Sequence, residues 1–227
     1  MKNLTLQDLK SLPTPERTAT WNPIPHYDVV SVMEEQIQKS TLAIVSHHIE
    51  TTKDSHKLFG RLIFDSEENT RFMMGYRNST NKSMALGFCS GQHVTVCSNM
   101  MFSGSYITFR KHTASISLLD VATLTKTALD ILPKEKASFD NRMNSYLKVA
   151  LSDEAFKSVI WDLMVANVLK PSEFNRYLDC VEQERDLNRG QTLATVHNAY
   201  TRLYREKPTS HIMYYTPQLT AITDSYV

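Results

Sequence analysis

The chain has 227 residues and carries 25 lysines and arginines against 24 aspartates and glutamates, a formal net charge of +1 at pH 7. A near-neutral chain excludes nucleic-acid binding through overall charge, so such a function needs a local basic patch. No apolar run reaches the roughly 18 residues of a membrane span, and no signal-peptide core is present. We therefore expect no membrane association and a cytoplasmic location, in a host cell if a phage encodes the chain.

Four regions are predicted along the chain. They are an extended N-terminal arm (1–27), a β-rich core (28–116), a helical region packed on the sheet (117–207) and a surface tail (208–227). Prolines force an extended path through the arm, and Trp21 is expected to pin it to the core. Asp28 is the predicted N-cap of a helix that ends near Lys39 and carries one apolar stripe.

The β-rich core is predicted as that helix, a three-strand meander, a second helix and a hairpin. The meander strands span 42–51, 57–64 and 71–77. Their apolar residues alternate, and short polar turns join them. The second helix covers 84–88 and ends at glycines. The hairpin strands cover 93–97 and 105–110, joined by a loop at Phe102–Gly104.

The helical region is predicted as five helices with apolar residues every three or four positions. The first begins near Ser117 and stops at Pro133, because proline lacks the amide hydrogen of the helical ladder. The last ends at Tyr204, before the tail. Together these patterns predict an α+β fold, in which a mostly antiparallel sheet is followed by a helical C-terminal half.

A stretch without acidic residues carries the functional argument. From Asn69 to Leu119 the chain has no aspartate or glutamate, and aromatic residues are interleaved with basic ones. The five lysines and arginines of the stretch are Arg71, Arg77, Lys82, Arg110 and Lys111. Subtracting these five from 25 leaves 20 basic against 24 acidic residues, a net charge of −4 for the rest of the chain. Clustered positive charge with aromatic side chains is typical of a surface that binds phosphates and stacks bases.

Eight residues are the predicted nucleic-acid contacts. The phosphate-binding set is Arg77, Asn78, Asn81, Lys82, Arg110 and Lys111, and the base-stacking pair is Tyr76 and Tyr106. The same stretch also fits an ordinary sheet, in which aromatic residues fill the core and basic residues are solvated or paired with acidic residues of other segments. A strand alternates its faces and one face is buried, so both interpretations stay open.

Cysteine and histidine residues offer further alternatives. Cys89, His93 and Cys97 recur every four residues, but the surrounding valines favour a strand, on which a zinc site would need a distant ligand such as His112. A cysteine nucleophile beside one of these histidines is the enzymatic alternative. The chain has no phosphate-binding glycine loop, dinucleotide fingerprint or nucleophile elbow. We therefore expect a protein that is not an enzyme and that needs no cofactor and no metal.

Several segments resemble a known family. They are Trp21–His26, Gly75–Ser79, Cys97–Met100 and Thr192–Tyr204. On these segments the chain resembles the phage/plasmid-like family of proteins, which occur in prophages, plasmids and bacteriophages, and the resemblance covers most of the chain. The family implies no catalytic residue.

A second resemblance is one of topology. The order helix, meander, helix is similar to the core of phage single-strand annealing proteins of the RecT, Redβ and Erf class, which form rings or filaments on single-stranded DNA. The resemblance implies a basic groove that contains Arg77, Lys82, Arg110 and Lys111. It is an analogy at the level of the fold, and a fold does not determine a function.

The predicted function is single-stranded DNA binding or annealing by a phage- or plasmid-encoded homo-oligomer. The alternative is a phage interaction protein that inhibits a host defence or regulatory protein, or that sequesters a small nucleotide. Salt separates the two, because phosphate contacts weaken steeply with added salt whereas an apolar protein interface does not.

Overall fold

The computed structural model describes residues 2–65, 70–94 and 99–227, with the backbone alone at 2, 3, 70, 94, 99, 103–107, 188 and 189. The chain divides into two compact units. Unit 1 comprises Met1–Gly91 and Ser105–Pro133, and unit 2 comprises Gln92–Gly104 and Lys134–Val227.

Within the described residues, six strands form one antiparallel sheet in chain order. They are β1 (Lys2–Leu4), β2 (Ile44–Thr51), β3 (Lys57–Phe64), β4 (Thr70–Ser79), β5 (Leu86–Val94) and β6 (Asn99–Arg110). In the β3–β4 pair, Gly60 lies opposite Tyr76. The predicted α+β class with a mostly antiparallel sheet and a helical C-terminal half is confirmed.

The helices lie before the main run of strands and after it. They are α1 (Leu6–Leu9), α2 (His26–Gln38), α3 (Leu118–Lys148), α4 (Asp153–Val165), α5 (Phe174–Glu184), α6 (Leu193–Tyr204) and α7 (Thr209–Asp224). Side chains of Thr5, Ser152 and Thr192 accept backbone N–H bonds and so cap α1, α4 and α6. In the described part of the chain, none of these helices combines the length and the apolar character that a membrane span needs.

Two predictions within the sheet are wrong. The helix expected over 84–88 is replaced by the start of β5, and the loop expected at Phe102–Gly104 lies inside β6. Leu86 and Phe88 are fully buried, and the residues between and after them are buried as well. A strand covered on both faces loses the alternation by which a strand is recognised, and its glycines then resemble helix ends.

The predicted helix end at Pro133 is also wrong, because α3 continues through this residue to Lys148. A proline inside a helix removes one backbone hydrogen bond and costs about 3 kcal/mol. Apolar residues on either side offset this cost by their burial, since Leu132 is 0% exposed and Phe139 is 5% exposed.

The predicted surface tail is in fact helix α7, whose Ile212 and Leu219 are fully buried. Its polar appearance comes from threonines at three helical positions. The Oγ1 atoms of Thr216, Thr220 and Thr223 donate to main-chain carbonyls one turn earlier, at 2.8–3.0 Å. A threonine whose hydroxyl is satisfied within its own helix can be buried at little cost, so this helix packs despite its composition.

In unit 1, Tyr76 links the sheet to helix α2. Its side chain is 0% exposed, and its hydroxyl lies 2.7 Å from Nε2 of His47. The other ring nitrogen of His47, Nδ1, lies 3.0 Å from the Glu34 carboxylate on α2. Burial raises the pKa of Tyr76 well above its usual value, and the Glu34 charge acts in the same direction. The tyrosine is therefore a neutral core residue.

In unit 2, a buried ion pair joins α5 to α6. Glu184 is 0% exposed, and Arg202 Nε donates to its Oε1 at 2.8 Å. Arg202 Nη2 lies 2.7 Å from the same oxygen. A carboxylate at this depth is tolerated because the guanidinium compensates its charge and hydrogen-bonds it.

The buried histidine of α6 makes unit 2 sensitive to acid. His197 is 0% exposed, and burial lowers its pKa from 6.5 to about 4, although Asn198 and Asp224 act in the opposite direction. Between these two pH values the unfolded chain binds a proton that the folded chain excludes, so stability present above pH 6.5 is lost as the pH falls toward 4.

We expect the free energy of unfolding to fall by about 2 kcal/mol between pH 7 and pH 5 through His197 alone. In His197→Leu, which has a side chain of similar volume, this part of the pH dependence should disappear. Urea unfolding followed by circular dichroism at both pH values measures the difference. If the unchanged protein and His197→Leu lost the same stability between pH 7 and pH 5, His197 would not be the source of the pH dependence.

Candidate functional site

A cleft in unit 1 brings together two lysines from distant parts of the acid-free stretch. Its volume is about 400 Å³, and it is lined by Thr20, Trp21, Lys82, Met84, Ala85, Lys111 and His112. Three segments form its walls: the N-terminal arm, the turn between β4 and β5, and the residues after β6. Two of the eight predicted contacts, Lys82 and Lys111, therefore lie in one site.

A hydrogen-bonded turn presents Lys82. The Ser79 hydroxyl donates to the Met84 carbonyl at 2.8 Å and accepts from the Met84 N–H at 3.2 Å, which closes the turn. Inside it, Asn81 Oδ1 accepts from the Ser83 N–H at 3.2 Å. Lys82 itself has φ = 63°, in the left-handed region, where a residue with a side chain pays about 1–2 kcal/mol. Strain of this kind occurs often at functional sites.

Trp21 lies beneath that lysine. The Lys82 Nζ is 4.9 Å from the centre of the indole ring, within the range of a cation–π interaction. Trp21 is 8% exposed, and its buried Nε1 has no hydrogen-bond partner in the structure. The neighbouring Asn22 Nδ2 donates to the Ile116 carbonyl at 2.9 Å, which ties the arm to the segment that follows β6.

His112 completes the wall beside the exposed Lys111. The residue is 7% exposed, and both of its ring nitrogens are buried. Burial lowers the pKa of His112, and a hydrogen bond with the Asn22 main chain acts in the opposite direction. A neutral imidazole offers one N–H donor and one acceptor nitrogen.

Two other basic residues of the stretch have acidic partners outside it. Arg110 Nε lies 3.1 Å from Asp120 Oδ1, and Arg71 Nε lies 3.6 Å from Asp65 Oδ1. Asp120 also accepts from the Ser117 N–H at 2.8 Å, at the start of α3. These two arginines therefore follow the second interpretation of the stretch, in which basic residues pair with acidic residues of other segments.

Two predicted contacts are core residues, and their prediction as ligand contacts is wrong. Tyr76 is fully buried, so neither face of its ring is available to a base. Asn78 is also 0% exposed, and its Nδ2 contacts the Ile24 carbonyl at 3.0 Å and His26 Nδ1 at 2.9 Å. This amide anchors the arm rather than a ligand.

Of the remaining predicted contacts, Arg77 and Asn81 do not line the cleft. Arg77 is half-buried on β4, opposite Phe59. Asn81 is exposed in the turn and supports the position of Lys82. The side chain of Tyr106 lies outside the described residues.

The cysteine chemistry considered from the sequence finds no support in the described residues. Cys89 is 4% exposed, and burial raises its pKa to about 12, so it is a protonated core thiol. Cys97 lies outside the described residues. Among the described residues, no three histidine, cysteine or acidic side chains are grouped so that they could hold a metal ion.

Among the side chains of the cleft, sequence reasoning missed Trp21 as a ligand contact. His112 follows Arg110 and Lys111 directly, so its place in a basic cluster was visible. Trp21 is about 60 residues from Lys82, and no periodic pattern connects the two.

Comparison with known proteins identifies no relative of this chain. No family model, no curated protein and no solved structure matches the chain. The resemblances to the phage/plasmid-like family and to annealing proteins therefore stay predictions.

Proposed function

We propose that the protein binds single-stranded nucleic acid and that the cleft formed by Trp21, Lys82, Lys111 and His112 holds a phosphate group. The observation that supports this is the convergence of two lysines from distant segments beside an aromatic ring in one recess. Lysine ammonium groups bind phosphate as point charges. A volume of about 400 Å³ is within the range of pockets that take a small ligand, such as one nucleotide unit.

A single strand suits this recess better than a duplex. The bases of a duplex are stacked and paired, whereas a single strand can place one nucleotide in a pocket and its phosphate beside the lysines. With a net charge of +1 on the whole chain, the affinity depends on this local pair of charges. Assembly into an oligomer on the strand, and strand annealing, belong to the same proposal.

A titration with a short oligothymidylate labelled at its 3′ end tests the proposal. Fluorescence anisotropy at two salt concentrations gives both the affinity and its salt dependence. The variant Lys82→Asn with Lys111→Gln should bind at least about tenfold more weakly, since a charge-assisted hydrogen bond contributes about 1.5–3 kcal/mol. Its salt slope should be smaller by about 1.4, the value for two lost phosphate contacts on a single strand. Asparagine tolerates the left-handed conformation at position 82.

The matched control is Lys39→Gln with Lys53→Gln, which removes the same charge from exposed positions of unit 1 outside the cleft. It should bind as the unchanged protein does. Equal affinity and equal salt slope in the cleft variant and the control would contradict the proposed site. Absence of binding at low salt would contradict the function itself.

The two tryptophans allow the site to be located directly. Trp161 is 65% exposed in unit 2, so Trp161→Phe leaves Trp21 as the only indole without disturbing a core. Binding at the cleft should change the emission of Trp21 in this variant. Binding with no change in emission would place the ligand elsewhere.

A further inference from the structure

A buried histidine holds the N-terminal arm to the sheet of unit 1. His26 is 2% exposed and is the first residue of α2, at the end of the arm. Its Nε2 lies 3.0 Å from the Ser55 carbonyl oxygen, and its Nδ1 lies 2.9 Å from Nδ2 of Asn78. The same Asn78 nitrogen donates to the Ile24 carbonyl at 3.0 Å, so one amide group binds both the arm and the ring.

These contacts require a neutral imidazole. A carbonyl oxygen only accepts hydrogen bonds, so Nε2 carries the hydrogen atom and donates it to Ser55. Nδ1 is then the acceptor for an N–H of Asn78. A proton on Nδ1 would turn this acceptor into a donor that faces another donor. Rotating the Asn78 amide does not repair the contact, because the amide oxygen would then face the Ile24 carbonyl.

The surroundings of His26 also oppose protonation. Burial lowers its pKa from 6.5 to about 4, and the nearby His112 and His56 act in the same direction, whereas the bond to the Ser55 carbonyl acts in the opposite one. His112 belongs to the segment after β6, and His56 to the turn between β2 and β3. The N-terminus of α2 carries a partial positive charge, which disfavours a cation at the first helical position.

Two charged residues flank these contacts in the chain without facing the ring. Asp28 lies in the first turn of α2, but residues i and i+2 of a helix do not face each other. Arg77 precedes Asn78 on β4, and successive residues of a strand point to opposite faces of the sheet. The ionisable side chains that act on the charge of His26 are therefore the two histidines.

We propose that His26 is an acid-sensitive latch, in which a proton on the ring releases the N-terminal arm from unit 1 and withdraws Trp21 from the wall of the cleft. Trp21 is five residues before His26, and Ile24 between them is 3% exposed, so loss of the Asn78 contact acts on this segment first. His112 contributes in the same direction, because it is hydrogen-bonded to the Asn22 main chain and burial lowers its pKa as well.

The direction of the pH dependence follows from the two states of His26. The released ring binds a proton that the docked ring excludes, so stability of the docked arm that is present above pH 6.5 is lost as the pH falls toward 4. Between pH 7 and pH 5, the ratio of released to docked arm should rise about twentyfold through His26 alone.

Urea titrations followed by the emission of Trp21 test the latch. In Trp161→Phe with His197→Leu, Trp21 is the only indole, and the acid-sensitive histidine of unit 2 is absent. In this background the emission change at pH 5 should precede the loss of circular dichroism. Extrapolated to water, the ratio of released to docked arm should rise between pH 7 and pH 5 about twentyfold more than it does when His26→Gln is added. Glutamine offers an N–H donor and a carbonyl acceptor but does not titrate.

The matched control is His56→Gln, which removes a neighbouring imidazole that is bonded to Thr80 rather than to the arm. This variant should keep most of the shift. An equal shift with and without His26→Gln would remove His26 as the latch. Emission and circular dichroism that change together at pH 5 would overturn the release of the arm as a separate step.

A second measurement covers the case in which His26→Gln has a lower melting temperature. The imidazole resonance of His26, followed by NMR in the parent background, should show no protonation at pH 6.5 while the arm is docked. Titration at the ordinary pKa of 6.5 would overturn the latch. None of these measurements uses a ligand, so their outcome is independent of the proposed function.

Discussion

Replacing Arg202 with methionine is expected to lower the free energy of unfolding by about 3–5 kcal/mol, the usual cost of removing one partner of a buried ion pair. Methionine keeps an aliphatic side chain of similar length but removes the two guanidinium nitrogens that lie 2.7 and 2.8 Å from Glu184 Oε1. The Glu184 carboxylate, which is 0% exposed, then loses the charge that compensates it. Urea unfolding at pH 7, followed by circular dichroism, measures the change.

A neighbouring arginine provides the control. Arg205 follows α6 directly and lies 3.5 Å from Glu206, and both side chains are exposed. Arg205→Met should therefore change the free energy of unfolding by less than about 0.5 kcal/mol. The double variant Glu184→Leu with Arg202→Met should recover much of the lost stability, because an apolar pair can replace a buried ion pair. Equal effects of the two single arginine substitutions would contradict the importance of the buried pair.

Replacing Gly60 with alanine is expected to destabilise unit 1 by about 3 kcal/mol. A Cβ atom at this position would lie 2.1 Å from Cζ of Tyr76 and 2.2 Å from its hydroxyl oxygen, far inside van der Waals contact. The ring cannot shift easily to relieve the clash, because Tyr76 is fully buried and its hydroxyl is hydrogen-bonded to His47. The melting temperature and the urea midpoint should both fall.

Two further variants separate this clash from a general intolerance of glycine replacement. Gly190 has φ = 61° and ψ = −160°, a backbone region that is essentially restricted to glycine, and a Cβ atom added there would have no atom within 4 Å. Gly190→Ala should therefore cost about 1–3 kcal/mol of backbone strain without any steric clash, which measures the strain alone. In a Tyr76→Leu background the steric cause is removed, so Gly60→Ala should cost clearly less than it does alone. The same cost in both backgrounds would show that the tyrosine ring is not the obstacle.

The secondary structure could be predicted from the sequence wherever an element buries only one of its faces. Strand β3, predicted with its observed bounds of Lys57–Phe64, alternates buried and partly exposed residues over much of its length. Strand β5 does not alternate, because both of its faces are covered. Helix α7 was missed for a different reason, since its buried threonines satisfy their hydroxyls within the helix and so resemble surface residues in the sequence.

The site could be predicted only in part, for a related reason. Local depletion of acidic residues pointed to Lys82 and Lys111, but it could not show that Asp120 and Asp65, from outside the stretch, pair with two of the arginines. Strand alternation left it open which aromatic residues are buried, and Tyr76 proved to be in the core. Long-range pairing decides each of these points, and a single sequence does not encode it in any local pattern.

The hydrogen bond from Asn22 to Ile116 also has a consequence for folding. It joins positions 94 residues apart, and Asn78 holds the arm across a further 54 residues at Ile24. Closing loops of this length costs more chain entropy than closing the local hairpins of the sheet, so we expect the walls of the cleft to meet after those hairpins form. Secondary structure measured by circular dichroism would therefore recover before ligand binding during refolding, and a protein that has regained binding has completed the assembly of unit 1.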